Sequence, residues 1–224
     1  MNFSIIKSII IKDIVIEYRS REAFNSVLFF SLLVIAIGSF AIEPGTKAVF
    51  EISSGLLWIS YIFSSTLILN HSFIVEKEEN IIQGLIISPY DKINIFLGKY
   101  AVNFIYIFCI EIIILIAFII LFNINITKSL IILLIYIIMI DIGLVSVGTL
   151  FASMLINSKA REMLLPILLF PIIIPLLIVS VKATTILLQD EPYKYAVPFL
   201  KLIISFDIVY LISSLILSEY SITD

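Results

Sequence analysis

AVNFIYIFCIEIIILIAFIILF, residues 101–122, carries a single charged side chain, Glu111, in an otherwise apolar run. A hydrocarbon core about 30 Å thick is crossed by roughly 20 apolar residues in helical form. The stretch has that length, and it lacks the alternation of a barrel strand. Inside lipid a chain satisfies its own backbone polar groups only as helices or as a closed barrel. The reading is therefore a membrane-spanning helix. Working outward, comparable windows fall at 24–42, 48–70, 129–154, 164–188 and 196–218. The expected fold class is an all-α integral membrane protein, a single membrane domain over 1–224 with six transmembrane helices.

Composition supports that reading. Of the 224 residues 61% are apolar and 14% charged, against about 45–50% and 25% in soluble domains. Mean hydropathy is +1.18. These values exclude a soluble enzyme, a nucleic-acid binder and a disordered chain, and leave no room for a nucleotide-hydrolysing domain. The net charge of -3 offers no basic field for nucleic acid. One cysteine, Cys109, permits no intrachain disulfide. One histidine, His71, excludes a multi-histidine metal or haem site built by this chain alone, so no metal and no resident cofactor are expected. There is no Walker A run, no G-x-S-x-G and no H-E-x-x-H, so no catalytic residue is assigned and the chain reads as a non-enzyme.

Basic residues set the orientation. One set of flanks holds Lys7, Lys12, Arg19, Arg21, Lys77, Lys92, Lys99, Lys159 and Arg161; the other holds Lys47, Lys128, Lys182 and Lys194, with Lys201 just inside the last span. The richer set is expected in the cytoplasm, and with it both termini. Glu43 and Pro44 then close the first span on the outer side.

Residues 1–22 form a separate element that does not read as a cleaved signal peptide, because charges interrupt its apolar residues. Ser4, Lys7, Ser8 and Lys12 fall on one helical face and Ile5, Ile6, Ile9 and Ile10 on the other. That pattern suits an N-terminal interfacial helix lying on lipid. Asp13 and Glu17 land on its apolar side and weaken the fit; the competing reading is a helix packed against other protein.

The one long polar stretch inside the bundle is 71–99, HSFIVEKEENIIQGLIISPYDKINIFLGK. Glu76, Glu78 and Glu79 precede Ile81, Ile82, Leu85 and Ile86, one face of a short helix that Pro89 stops. An acidic first turn complements the helix dipole, and one apolar face suits docking in a groove of another protein. Lys92–Lys99 leads into span three, with Gly98 at the junction.

The segment resembles the loop between spans two and three of the ABC-2-type permeases, a run of the form E-R-E-x-G-T-L-E-x-L-L-x-T-P. Glu76, Lys77, Glu78, Ile82, Gln83, Leu85, Ile86, Ser88 and Pro89 occupy its places conservatively, with Asn80 for the glycine and Ile81 for the threonine. The resemblance implies the ABC-2-type permease fold and a coupling helix that meets an ATPase subunit.

A narrower resemblance spans nearly the whole chain. LFFSLLVIAIGSFAIEPG (28–45), GLLWISYIFSSTLILNHSF (55–73), the segment 76–89 and LLPILLFPIIIPLLIVSVKAT (164–184) are similar to the CcmB family, haem exporter protein B of cytochrome c maturation. The last run, with Pro166, Pro171 and Pro175 in one span, is the most specific. Asn70-His71 departs from an acid–arginine pair common in the family. The resemblance implies the permease subunit of an ABC transporter complex that exports haem or drives release of a haem carrier, with haem as cargo of the complex. It implies an ATPase subunit, a second copy of the chain and haem-handling membrane proteins as partners. It places the chain in a bacterial plasma (inner) membrane or an equivalent organellar inner membrane. The competing functions are another ABC-2-type exporter of lipid, polysaccharide or drug, a proton-coupled secondary transporter, and an assembly scaffold.

Three groups of residues stand out within the spans. Pro166, Pro171 and Pro175 each remove a backbone donor, so span five is expected to be kinked or partly broken, as a hinge or as a static bend. Glu111, Asp141 and Asp207 are ionisable groups within or near the membrane, costly there and by default functional candidates. They read either as a polar path for substrate or protons or as contacts between helices. Ser53-Ser54-Gly55 and Ser64-Ser65 suit close helix packing, and Cys109 reads as a small apolar filler.

Overall fold

The computed structural model describes residues 3–20, 22–42, 48–73, 92–124, 126, 129–189 and 191–221. Seven α-helices follow in order: α1 Phe3–Ser20, α2 Glu22–Ala41, α3 Ala48–His71, α4 Lys92–Leu121, α5 Leu130–Met154, α6 Arg161–Leu188 and α7 Val197–Ser221. A 3-10 turn, Tyr193–Tyr195, precedes the last. Helices α2 to α7 are each long and apolar enough to cross a membrane. No strand occurs among the described residues. With six spans, both termini lie at one end of the bundle, here the terminal end; the other is the far end.

The windows of α3 and α5 are more than half buried, and those of the other four spans a third or less. Helices α3 and α5 therefore form the centre, with α2, α4, α6 and α7 around them. The core has two parts. Near the far end Trp58, Tyr61, Phe118, Tyr136 and Ile137 interlock. Towards the terminal end Leu69, Phe73, Leu144, Val145, Leu165 and Leu169 do so. Many large apolar side chains remain exposed, among them Phe29, Phe40, Ile120, Ile131 and Ile167. In water such a surface would aggregate; against lipid tails it costs nothing.

Three expectations change. The third span was expected to begin at 101, but its helix α4 begins at Lys92. The reason is local: Lys99 is held by an opposite charge, so its burial does not end the helix, and Gly98 sits against another helix. The Ile face of α1, expected to rest on lipid, packs along α4 instead, with Ile9 buried and Ser4, Lys7 and Ser8 outward. A Cβ on Gly98 would stand 2.9 Å from Ile9 Cγ2, so only glycine admits so close an approach. Phe3, Ile11, Ile14 and Val15 keep exposed apolar surface on α1.

The third change concerns α6, which runs unbroken from Arg161 to Leu188 through all three prolines. Each proline removes one donor, and a membrane helix tolerates that loss where neighbours satisfy freed groups. Pro171 and Pro175 point outward, whereas Leu165, Leu169, Ile173, Leu176, Ser180 and Thr184 point in.

Candidate functional site

Glu111, Asp141 and Asp207 lie ten or eleven residues from the far ends of α4, α5 and α7. At 1.5 Å rise per residue that is about 15 Å, half the hydrocarbon thickness. All three are buried, at 1%, 0% and 4% exposure. Glu111 and Asp141 lie side by side, and Asp207 adjoins Asp141. A Cβ on Gly143 would overlap Asp207 Oδ1, so the missing side chain at 143 makes the space this carboxyl occupies. Helices α5 and α7 form the most extensive helix pair of the molecule.

Among the described residues the surroundings are polar and uncharged. The Ser65 hydroxyl donates to the Tyr61 carbonyl at 2.7 Å and lies 3.4 Å from Glu111 Oε1. The Tyr61 hydroxyl donates to the Glu111 carbonyl at 3.0 Å. Tyr210 donates to the Ile172 carbonyl at 2.7 Å, and Tyr100 to the Ile142 carbonyl at 3.5 Å. Glu111 Oε2 and both oxygens of Asp141 and of Asp207 are buried with no hydrogen-bond partner among the described residues. Buried carboxyls are ordinarily satisfied, so five bare oxygens in one region call for an explanation. Outside the cluster, Trp58 Nε1 donates to Thr184 Oγ1 at 2.8 Å and Asn103 Nδ2 to Thr149 Oγ1 at 3.0 Å. These neutral bonds tie α3 to α6 and α4 to α5.

A second polar group occupies the terminal end. Lys99, 3% exposed, pairs with Asp13 of α1 at 2.9 Å and donates to the Ser72 carbonyl at 3.0 Å. Its ammonium sits 5.0 Å from the Phe73 ring centre. The Arg161 guanidinium stands over the same ring at 5.8 Å and donates through Nη2 to the Leu69 carbonyl at 3.2 Å. Its Nε and Nη1 have no hydrogen-bond partner among the described residues. Cation–ring contacts of this kind contribute about 0.5–2 kcal/mol each.

The sequence puts Glu111, Asp141 and Asp207 within or near the spans; the structure sets Glu111 beside Asp141, with Asp207 close to Asp141. The sequence missed the Asp13–Lys99 pair: Lys99 reads as a flank charge, although Asp13 on an apolar helix face was the signal. Cys109, expected as packing filler, is exposed. His71 ends α3. The residues assigned to coupling, Glu76, Glu78, Glu79, Gln83, Leu85 and Pro89, lie outside the described residues, as do Glu43 and Pro44.

The fold and the buried carboxyls define an integral membrane protein, a bundle of six apolar helices with polar groups held inside. The chain belongs to the CcmB protein family, whose model matches residues 4–222, nearly all of it. Membership implies a membrane component of a haem-exporting ABC transporter of cytochrome c maturation. No curated protein matches the chain.

Proposed function

We propose that the chain is the permease subunit of an ABC complex in which a separate subunit hydrolyses ATP. The observation that carries this is family membership over 4–222. Two copies pair, and each takes one ATPase subunit on the segment between α3 and α4, through Glu76, Glu78, Glu79, Gln83, Leu85 and Pro89. Both termini and this segment face the cytoplasm, where most basic flanks fall, and the membrane is the bacterial inner membrane or its organellar equivalent. ATP binding closes the ATPase pair and draws the two coupling segments together. Helix α4 follows the coupling segment directly, and α1 is fixed to it by Lys99–Asp13. Motion at the segment is thereby passed to both. Haem is cargo of the complex, moved outward or released on its carrier by partner proteins, and not a resident cofactor of this chain.

The test is Glu76→Ala with Glu78→Ala and Glu79→Ala, followed by measurement of ATPase subunit on washed membranes. Recruitment is expected to fall at least tenfold while the permease remains. Retained recruitment would sink the coupling assignment.

A further inference from the structure

The three mid-depth carboxyls have a consequence that lies outside ATP coupling. Glu111 of α4 and Asp141 of α5 meet, and Asp207 of α7 lies within electrostatic reach of Asp141. Asp207 stands apart as a witness: it belongs to α7, is 4% exposed, has both oxygens unpartnered, and points at Gly143, half a turn from Asp141. No lysine or arginine among the described residues pairs with any of the three. The buried cations are engaged elsewhere, Lys99 with Asp13 and Arg161 with the Leu69 carbonyl. The groups facing the cluster are the hydroxyls of Tyr61 and Ser65 on α3, Tyr100 on α4 and Tyr210 on α7, all neutral as hydroxyls. Buried carboxyl oxygens without a donor are satisfied if one carboxyl holds a proton and donates it to a neighbour.

We propose that Glu111, Asp141 and Asp207 form a proton-binding site that controls the contact between α5 and α7. Binding takes one proton from water and forms one O–H bond on a carboxylate oxygen, removing one negative charge; release is the reverse, with no change of oxidation state. With the proton in place the carboxyls share hydrogen bonds and Asp207 stays seated on Gly143. Without it, like charges face each other across α4, α5 and α7 at low dielectric, where repulsion is strong. The seat at Gly143 leaves Asp207 no room to turn away, so α7 moves off α5. Such a site links the proton supply on one side of the membrane to the shape of the bundle.

The experiment uses the full chain alone in lipid vesicles, without ATPase, so its failure leaves the proposed complex untouched. Infrared difference spectra between acidic and alkaline pH follow the protonated-carboxyl C=O band, identified by its shift in heavy water. The band is expected to rise on acidification and to at least halve in Glu111→Gln and in Asp141→Asn. Spin labels at Ile131→Cys and Leu202→Cys, with Cys109→Ala, report the α5–α7 distance, which should change with pH in the parent and not in Asp207→Asn. The wild-type band needs no variant to fold. A band absent from the wild type, or unchanged in both amide variants, overturns the site. A band that responds to sodium at fixed pH overturns it in favour of a metal cation. A band with an unchanged label distance overturns the control of α5–α7.

Discussion

The mid-depth cluster and the terminal-end cluster bury the same kind of group under opposite rules. At the terminal end Lys99 meets Asp13, a backbone carbonyl and an aromatic ring. At mid-depth Glu111, Asp141 and Asp207 meet hydroxyls, glycine and each other. A buried charge is tolerated when paired and is costly when left alone. The first cluster is therefore a clamp, fixing α1 to α4 through Asp13, which pairs with the buried Lys99 and also with its neighbour Lys12, each at 2.9 Å. The second is held without a cation among the described residues, and on the proposal above its state depends on a bound proton.

The sharpest way to break this comparison is Asp13→Ala. It strands Lys99 in a buried position and should cost about 3–5 kcal/mol, read as an earlier midpoint in denaturant titration of the protein in mixed micelles. Asp13→Leu with Lys99→Met removes both charges and should recover most of that loss. Failure of the double variant to recover would mean the pair does more than clamp.

Gly143→Val comes next. Its methyls enter the space of the Asp207 carboxyl, and overpacking of this sort costs about 1–3 kcal/mol. The same titration measures it, and Gly143→Val with Asp207→Ala should be milder than Gly143→Val alone. Trp58→Phe is the neutral reference: it removes one uncharged bond, to Thr184, and should cost about 0.6–1.7 kcal/mol.

The smallest effect is expected where a structural role would give a large one. Glu111→Met with Asp141→Leu replaces both carboxyls by apolar groups of similar size. Such replacements of buried polar groups are often neutral or stabilising, so the midpoint should move by no more than about 1 kcal/mol. The pH-dependent carboxyl band should nonetheless fall. A large loss of stability would recast the mid-depth cluster as a second clamp.

The spans were legible because hydropathy acts residue by residue: 22 residues with one charge at 101–122 have only one inexpensive conformation in lipid. The depth of Glu111 and Asp141 followed from the same reading. Which side of a helix faces protein was not legible. Lipid tails are as apolar as leucine, so the pattern that separates core from surface in water is absent. Cys109, read as filler and found exposed, illustrates this; the small polar residues Ser53, Ser54, Ser64 and Ser65, read as packing positions and found buried, are the exception. The prolines are only partly legible for a related reason. Each signals a local defect, but whether the helix breaks depends on neighbours that the sequence does not name.

The sequence by itself determined that this chain lives in a membrane as six helices, and the runs it shares with CcmB proteins made the family legible. Length and apolarity carry that information, and both are local quantities. Only the tertiary structure decided that Asp13 belongs to Lys99, that Asp207 sits on Gly143, and that Glu111 meets Asp141. Those are meetings between residues far apart in the chain. They are settled by the shape of facing helices and by the cost of an unpaired charge, which no single span contains.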